Sequence, residues 1–260
     1  MLTLYHFGGA ICAQKVRLAL AEKGVEWDSR ECSGPTLRDP EYLRLNPNGV
    51  VPTLVHDEKV IRESRIISEY IDEAFDGPAL MPSHPLERHG ARLWSKQIDD
   101  SLHLNVFILT FASMAREMFL AMPPEVRANA MPGLRDPVKR RISHELLESD
   151  MRSPWIKVAL DRFIRLANEM EEQLSRTQYL AGGFYSLADA DYTAYINRLS
   201  DVGLESLWLN KPALNRWRAE MWERPSYHSA IVNWQSPQDT ASYARARDLC
   251  ANAMREYFPA

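Results

Sequence analysis

The chain has 260 residues, 45% hydrophobic and 25% charged, with a formal net charge of −4. That balance supplies core material for one large domain or two smaller ones, and it lacks the basic excess expected of a nucleic-acid binder. Three cysteines without paired spacing, Cys12, Cys32 and Cys250, argue against a disulfide scaffold and a zinc site and make the cytoplasm the expected compartment.

The chain opens on a strand-like run, LTLYHF at 2–7, directly after Met1, so no signal peptide is expected. Gly8-Gly9 ends the run, and residues 11–23 (ICAQKVRLALAEK) then show helical periodicity, with Val16, Leu18, Ala19 and Leu20 on or near one face. Gly24 suits the end of that helix because glycine accepts positive φ. Residues 25–31 read as a second strand and 40–45 as a short helix. Strands at 53–56 and 59–61 flank a tight Asp57-Glu58 turn, and a helix runs from Glu63 to about Phe75. The order β-α-β-α-β-β-α implies a mixed four-stranded sheet. Its closing pair must be an antiparallel hairpin, since two residues cannot make a crossover.

The informative stretch is Asn46-Pro47-Asn48-Gly49-Val50-Val51-Pro52-Thr53-Leu54, with Glu63-Ser64 eleven residues beyond Pro52. A cis proline ahead of a strand exposes the backbone of Val51 for pairing with an extended peptide. Ser64 near the start of a helix can hold a carboxylate, and Glu63 can pair with an amino group. Together they describe a receptor for a small peptide with a free γ-glutamyl end.

NPNGVVPTL followed by ESRIISEYI resembles the glutathione-site signature of cytosolic glutathione transferases. The resemblance implies an α/β thioredoxin-like N-terminal domain over 1–78 and an all-α C-terminal helical domain over 87–260, which would bind the electrophile. It also implies glutathione as co-substrate and a homodimer. Val51, Pro52, Glu63 and Ser64 would bind glutathione, and Arg38 is the nearest candidate for its glycine carboxylate. On the thiol-activating residue the sequence departs from the family. Aligned on Lys15–Leu20, the positions of the usual hydroxyls hold Ala10 and Ala13, leaving Cys12 as the candidate catalytic residue. His6 near the strand end is an alternative, and a third is that backbone N–H groups and the helix dipole suffice. Without a Cys-x-x-Cys motif, two-thiol exchange of the thioredoxin kind is not expected.

Residues 76–86 (DGPALMPSHPL) read as a linker. Beyond it, helical periodicity covers about 87–121, 135–151, 155–175, 186–200, 212–223, 225–234 and 237–256, with no run near the roughly 18 apolar residues that span a bilayer. Asp99, His103, Phe107, Phe111 and Met114 lie near one helical stripe, of which His103, Phe107 and Phe111 are the candidate contacts to an apolar, aromatic electrophile. Trp94 reads as packing or a dimer contact. Ser186-Leu187-Ala188-Asp189 is a capping signature in which Ser186 accepts from backbone near Asp189, with Asp191 buried and structural. PALNRWRAEMWERPSY continues the family pattern, so the resemblance covers nearly the whole chain. It is weakest at 115–155, an insertion similar in placement to that of bacterial glutathione-dependent β-aryl etherases, a subgroup that WSKQIDDSLH also suits. The expected reaction is attack by glutathione thiolate on an apolar electrophile, by conjugation or ether cleavage. The rivals are a glutathione-dependent reductase or peroxidase using Cys12, and a non-catalytic glutathione-binding scaffold.

Overall fold

A computed structural model describes residues 1–130 and 136–259. Five residues of the 115–155 insertion, 131–135, lie outside the described residues. The chain groups into two compact units, Met1–Lys96 with Gln173–Ile196 and Arg216–Ser236, and Gln97–Glu172 with Asn197–Asn215 and Pro237–Ala260.

The first unit contains the sheet. β1 (Leu2–His6), β2 (Asp28–Glu31), β3 (Thr53–His56) and β4 (Lys59–Arg62) are ordered β2-β1-β3-β4. β1 pairs parallel with β2, Thr3 opposite Asp28, through the crossover helix α1 (Ile11–Lys23). β3 pairs antiparallel with both β1 and β4. The β3–β4 turn is the two residues Asp57 and Glu58, both at positive φ (44° and 69°), as a tight hairpin requires. α2 (Pro40–Leu45) is capped by Asp39, whose carboxylate accepts from Glu41 N–H. Gly24 ends α1 in the left-handed conformation at φ 67°. Short elements not expected from sequence include a 3₁₀ turn at Gly34–Arg38, in this unit, and a 3₁₀ turn at Glu205–Trp208 and α7 (Pro124–Ala130) in the second.

Leu2, Leu4, Val16, Ala19, Leu20, Leu54, Ile67 and Ile71 form the core between the sheet, α1 and α3 (Ser64–Ala74). Leu187, at the start of α10 (Leu187–Asp201), joins that core, and its N–H donates to Leu80 C=O at 2.8 Å. α1 departs from the one-faced helix that its sequence suggests. Gln14, Lys15, Arg17 and Lys23 are buried along with its apolar residues, because it packs on α3 and on α12 (Pro225–Ala230) as well as the sheet. Glu22 anchors the α12 end by accepting from Arg224 at 2.7 Å.

Asp189 is fully buried and accepts from Ser186 N–H and Oγ–H, Leu180 N–H and Trp217 Nε1–H, all at 2.9–3.0 Å. It reaches back as the capping signature predicts, but Ser186 Oγ donates to it rather than accepting from backbone. Burial pushes the Asp189 carboxyl up to about 6 against the pull of these bonds. Trp94, in α4 (Pro85–Gln97), packs edge-on against Tyr192 at 5.2 Å within this unit.

The second unit is helical, comprising α5 (His103–Thr110), α6 (Arg116–Leu120), α7, α8 (Pro137–Ser149), most of α9 (Pro154–Leu174) and α13 (Pro237–Tyr257); α11 (Pro212–Glu223) begins in it and continues into the first unit. The helix expected over 87–121 is interrupted by two π-helical turns, Ile98–Leu102 and Phe111–Ala115. Each π turn carries an extra residue and rotates the next stretch of helix about the axis. The Asp99-to-Met114 stripe therefore does not keep one face: Asp99 is exposed, His103, Phe107 and Met114 half-buried, Phe111 buried.

Candidate functional site

The segment between α2 and β3 is fastened from inside the fold. Tyr42 Oη donates to Val50 C=O at 2.5 Å and bonds Thr53 Oγ1 at 3.0 Å. Asn46 Nδ2 donates to the same two acceptors at 2.9 and 3.0 Å, while its Oδ1 accepts from Asn48 N–H at 3.1 Å. Asn46 and Tyr42 are both buried. They hold the backbone on either side of Val51, and the Val51–Pro52 bond is cis. No backbone hydrogen bond engages Val51 N–H or C=O among the described residues, so a half-buried residue keeps a donor and an acceptor for an extended peptide.

Glu63 follows β4 with φ 69° and ψ 113°, a conformation that costs a non-glycine residue on the order of 1–3 kcal/mol. Its side chain makes no capping bond, so it is not a simple helix cap. Strain of this kind persists where the surrounding structure dictates it, and here it brings the chain into α3 at Ser64. Below Ser64 lies Lys15, whose Nζ donates to Ser64 Oγ at 3.3 Å and stands 3.4 Å from Asp191 Oδ1. The Lys15 and Asp191 side chains are 0% and 2% exposed. A buried ion pair of this geometry fixes the ammonium beneath the serine. It also accounts for the burial expected of Asp191.

Cys12 sits in the first turn of α1, half-buried, after Ala10 at the N-cap. No side chain caps this end and no acidic residue occupies its first turn, so the positive end of the helix macrodipole is not offset locally. His6, the alternative, is fully buried with both ring nitrogens engaged. Nδ1 lies 3.0 Å from Arg17 Nη1 and Nε2 lies 2.8 Å from Ser29 Oγ. Because guanidinium only donates, Nδ1 accepts and Nε2–H donates to Ser29. Trp27 and Trp234 pack edge-on against the ring at 5.2 and 4.6 Å. Burial, reinforced by Arg17, lowers the imidazole to about 4. His6 is a locked neutral strut with neither nitrogen left for a ligand sulfur. Arg38, at the end of the 3₁₀ turn, is exposed.

His103, Phe107 and Phe111 belong to the second unit. Phe107 and Phe111 keep their rings 5.6 Å apart, Phe119 extends the row at 5.4 Å, and Lys139 of α8 places its ammonium 5.5 Å from the Phe107 centroid. Phe111, at 4% exposure, is a core residue as much as a lining one.

Residues 4–79 match the family model described as glutathione S-transferase, N-terminal domain. Protein LigF of Sphingobium sp. (strain NBRC 103272 / SYK-6) is 30% identical over 78% of this chain and 80% of its own length. The chain belongs to the glutathione S-transferase family. A tetrachloro-p-hydroquinone reductive dehalogenase of Sphingobium chlorophenolicum is 28% identical over 90% of this chain and 98% of that protein. Among solved structures, the β-etherase LigF from Sphingobium sp. strain SYK-6 superposes with a TM-score of 0.72 at 27% identity, covering 88% of this chain and 98% of that one. The transferase is thus an enzyme of a family that uses glutathione as co-substrate, with relatives named for dehalogenation of tetrachloro-p-hydroquinone and for β-etherase activity.

Several residues that shape this transferase's site carry no signal in the sequence. Lys15, Arg17 and Trp234 act through partners distant along the chain, and Tyr42 through Val50 and Thr53 beyond the end of its own helix; the recurrence of helical apolar residues marks none of them. Asn46 is visible as the first residue of the NPNG motif, where its place suggests only a turn.

Proposed function

We propose that this transferase holds glutathione on Val51, beside Pro52, by backbone pairing, and on Ser64 and Glu63 through the γ-glutamyl group, and that its reaction is attack on an apolar, aromatic electrophile. The observation that carries the reading is the pairing of two features in one compact unit: a fastened loop with uncommitted Val51 backbone groups, and a strained Glu63 delivering Ser64 over buried Lys15. The donor set fits the tripeptide. Backbone N–H and C=O suit an extended chain, and a serine bonded to an ammonium suits a carboxylate. Arg38 is the candidate partner for the glycine carboxylate.

Bound glutathione supplies the thiol nucleophile. Cys12 and the uncapped start of α1 favour its ionised form, since a thiolate is stabilised by donors and by a helix N-terminus. The row Phe107–Phe111, with His103 upstream, supplies apolar surface for an aromatic electrophile. The relatives named for tetrachloro-p-hydroquinone dehalogenation and β-ether cleavage support that substrate class. Displacement on an aryl compound and opening of an aryl ether are both within it. A dimer, a cytoplasmic location and the division at 1–78 and 87–260 complete the proposal.

The test is calorimetric titration with glutathione, followed by turnover on a panel of aryl ethers and halogenated aromatics. Micromolar to millimolar glutathione affinity with turnover on at least one aryl substrate is the expected outcome. Absence of affinity sinks the binding assignment, and affinity without turnover on any of them favours a scaffold. The placement of Cys12 at the start of α1 also sustains a second reading, disulfide exchange with glutathione. Reduction of a mixed disulfide, abolished by Cys12→Ser, would favour it.

A further inference from the structure

Arg17 is 1% exposed. Its Nε donates to Ala230 C=O at 2.7 Å, Nη2 to Gly8 C=O at 2.8 Å, and Nη1 to His6 Nδ1 at 3.0 Å and Phe7 C=O at 3.3 Å. Trp234 covers the guanidinium with its ring centroid 5.1 Å away. A buried cation is costly unless paired, and the usual partner is a carboxylate. Here neutral acceptors and an aromatic face replace it, and no acidic side chain pairs with Arg17 among the described residues.

Most other charged groups on α1 and α3 are matched elsewhere. Lys15 of α1 faces Asp191, and Glu22 of α1 holds Arg224, the residue that caps α12. Glu69 of α3 takes Arg65 and Arg92, Lys23 takes Asp72, and His6 of β1 is neutral. The Arg17 charge is therefore not offset by any of them. Two of its acceptors, Phe7 and Gly8, form the loop that leads into α1 and Cys12. The strap at Ala230–Trp234 closes that loop from the other side: a Cβ on Gly8 would stand 2.2 Å from the Trp234 carbonyl oxygen, so only glycine fits.

We propose that Arg17 is the positioning residue for the thiol end of the glutathione site: its fork fixes the Phe7–Gly8 entry to α1, and its unmatched buried charge adds to the helix-end potential that favours thiolate. The inference rests on the glutathione reading above. It supplies what Ala10 and Ala13 withhold, a source of positive potential that needs no hydroxyl at either position.

Three variants test it: Arg17→Gln removes the charge, Arg17→Lys keeps charge without the fork, and Trp234→Leu uncovers the guanidinium without removing any of its acceptors. For each, the ultraviolet thiolate absorbance of bound glutathione is titrated against pH, and affinity is measured for S-methylglutathione, which cannot ionise. The thiol midpoint rises by about one unit in Arg17→Gln, a tenfold loss of thiolate below it, and by less in Arg17→Lys and Trp234→Leu. S-methylglutathione affinity stays within about threefold. An unmoved midpoint in the folded Arg17 variants overturns the proposal, as does one that moves only in step with lost S-methylglutathione affinity. Should both Arg17 variants fail to fold, Trp234→Leu decides by the same criteria. A wild-type protein with no glutathione affinity removes the underlying reading instead.

Discussion

The two ends of the proposed glutathione site are built in different ways. The loop that would pair with the peptide backbone is assembled from one short stretch of chain. Tyr42, Asn46, Val50 and Thr53 bond one another across at most eleven residues, and Glu63-Ser64 comes at the next turn. The sulfur end, at the start of α1, is held by residues far away in sequence: Ala230 is 213 residues from the arginine that grips it. Local ties make a binding loop that a short motif can encode. Long-range ties make the environment of the thiol depend on how the rest of the unit packs. Binding can thus be retained while activation is retuned through the strap.

That difference is broken most severely by removing Arg17 outright. Arg17→Met leaves the Ala230, Phe7 and Gly8 carbonyls and the His6 acceptor short of a donor and is expected to cost about 3 kcal/mol of stability, at roughly 1–3 kcal/mol per unsatisfied group with partial relaxation. Urea denaturation measures it, and a midpoint within error of wild type would mean the strap does not hold the loop. Next in size is Cys12→Ala, which should lower turnover about 100-fold, the scale of losing one donor to a developing anion, with glutathione affinity changed by no more than a few-fold. Equal turnover in steady-state assays would reduce Cys12 to packing and leave the helix end and Arg17 as the activators. At the peptide end Ser64→Ala should weaken glutathione binding by about 1–2 kcal/mol while leaving the unfolding midpoint nearly unchanged, because Ser64 is half-buried and Lys15 keeps Asp191. A large loss of stability without loss of affinity would invert the comparison.

The same division separates what is legible in the sequence from what is not. α1, α2 and β3 begin and end where glycine, the Asp39-Pro40 pair and the Pro52-Thr53 junction place them, since turn chemistry is local. The proposed γ-glutamyl and cysteinyl anchors are readable from NPNGVVPTL and Glu63-Ser64 for that reason. Lys15 and Arg17 are not, because a helical stripe sorts residues by apolarity, whereas α1 is enclosed on several sides and buries its cations against distant partners. The π turns at Ile98–Leu102 and Phe111–Ala115 are equally invisible: an unbroken apolar recurrence does not announce an extra residue per turn. The stacking of Trp27 on Trp234, 5.7 Å apart across the length of the chain, has no sequence periodicity at all.

The smallest effect near neutral pH, and the one that isolates the long-range end, is acid sensitivity through His6. Its folded value, lowered to about 4, lies below the ordinary histidine value of 6.5. The unfolded chain therefore takes up a proton that the native site refuses, and the stability contributed by the neutral ring is complete above about 6.5 and lost as pH falls towards 4. Asp189, raised to about 6, works in the opposite sense: the native state gains a proton before the unfolded one, so its contribution grows as pH falls through 6. His6→Gln removes only the first of these. Its urea midpoint should be lower than wild type at about pH 7.5, where Arg17 loses its Nδ1 acceptor, yet fall less steeply than wild type between about pH 6.5 and 4.5. Parallel pH profiles for the two proteins would show that His6 protonates freely and that the Arg17–His6–Ser29 chain is not what fixes the start of α1. A flatter profile in His6→Gln alone, with Ser64→Ala following wild type, would place the acid-labile tie at the sulfur end and not at the peptide end.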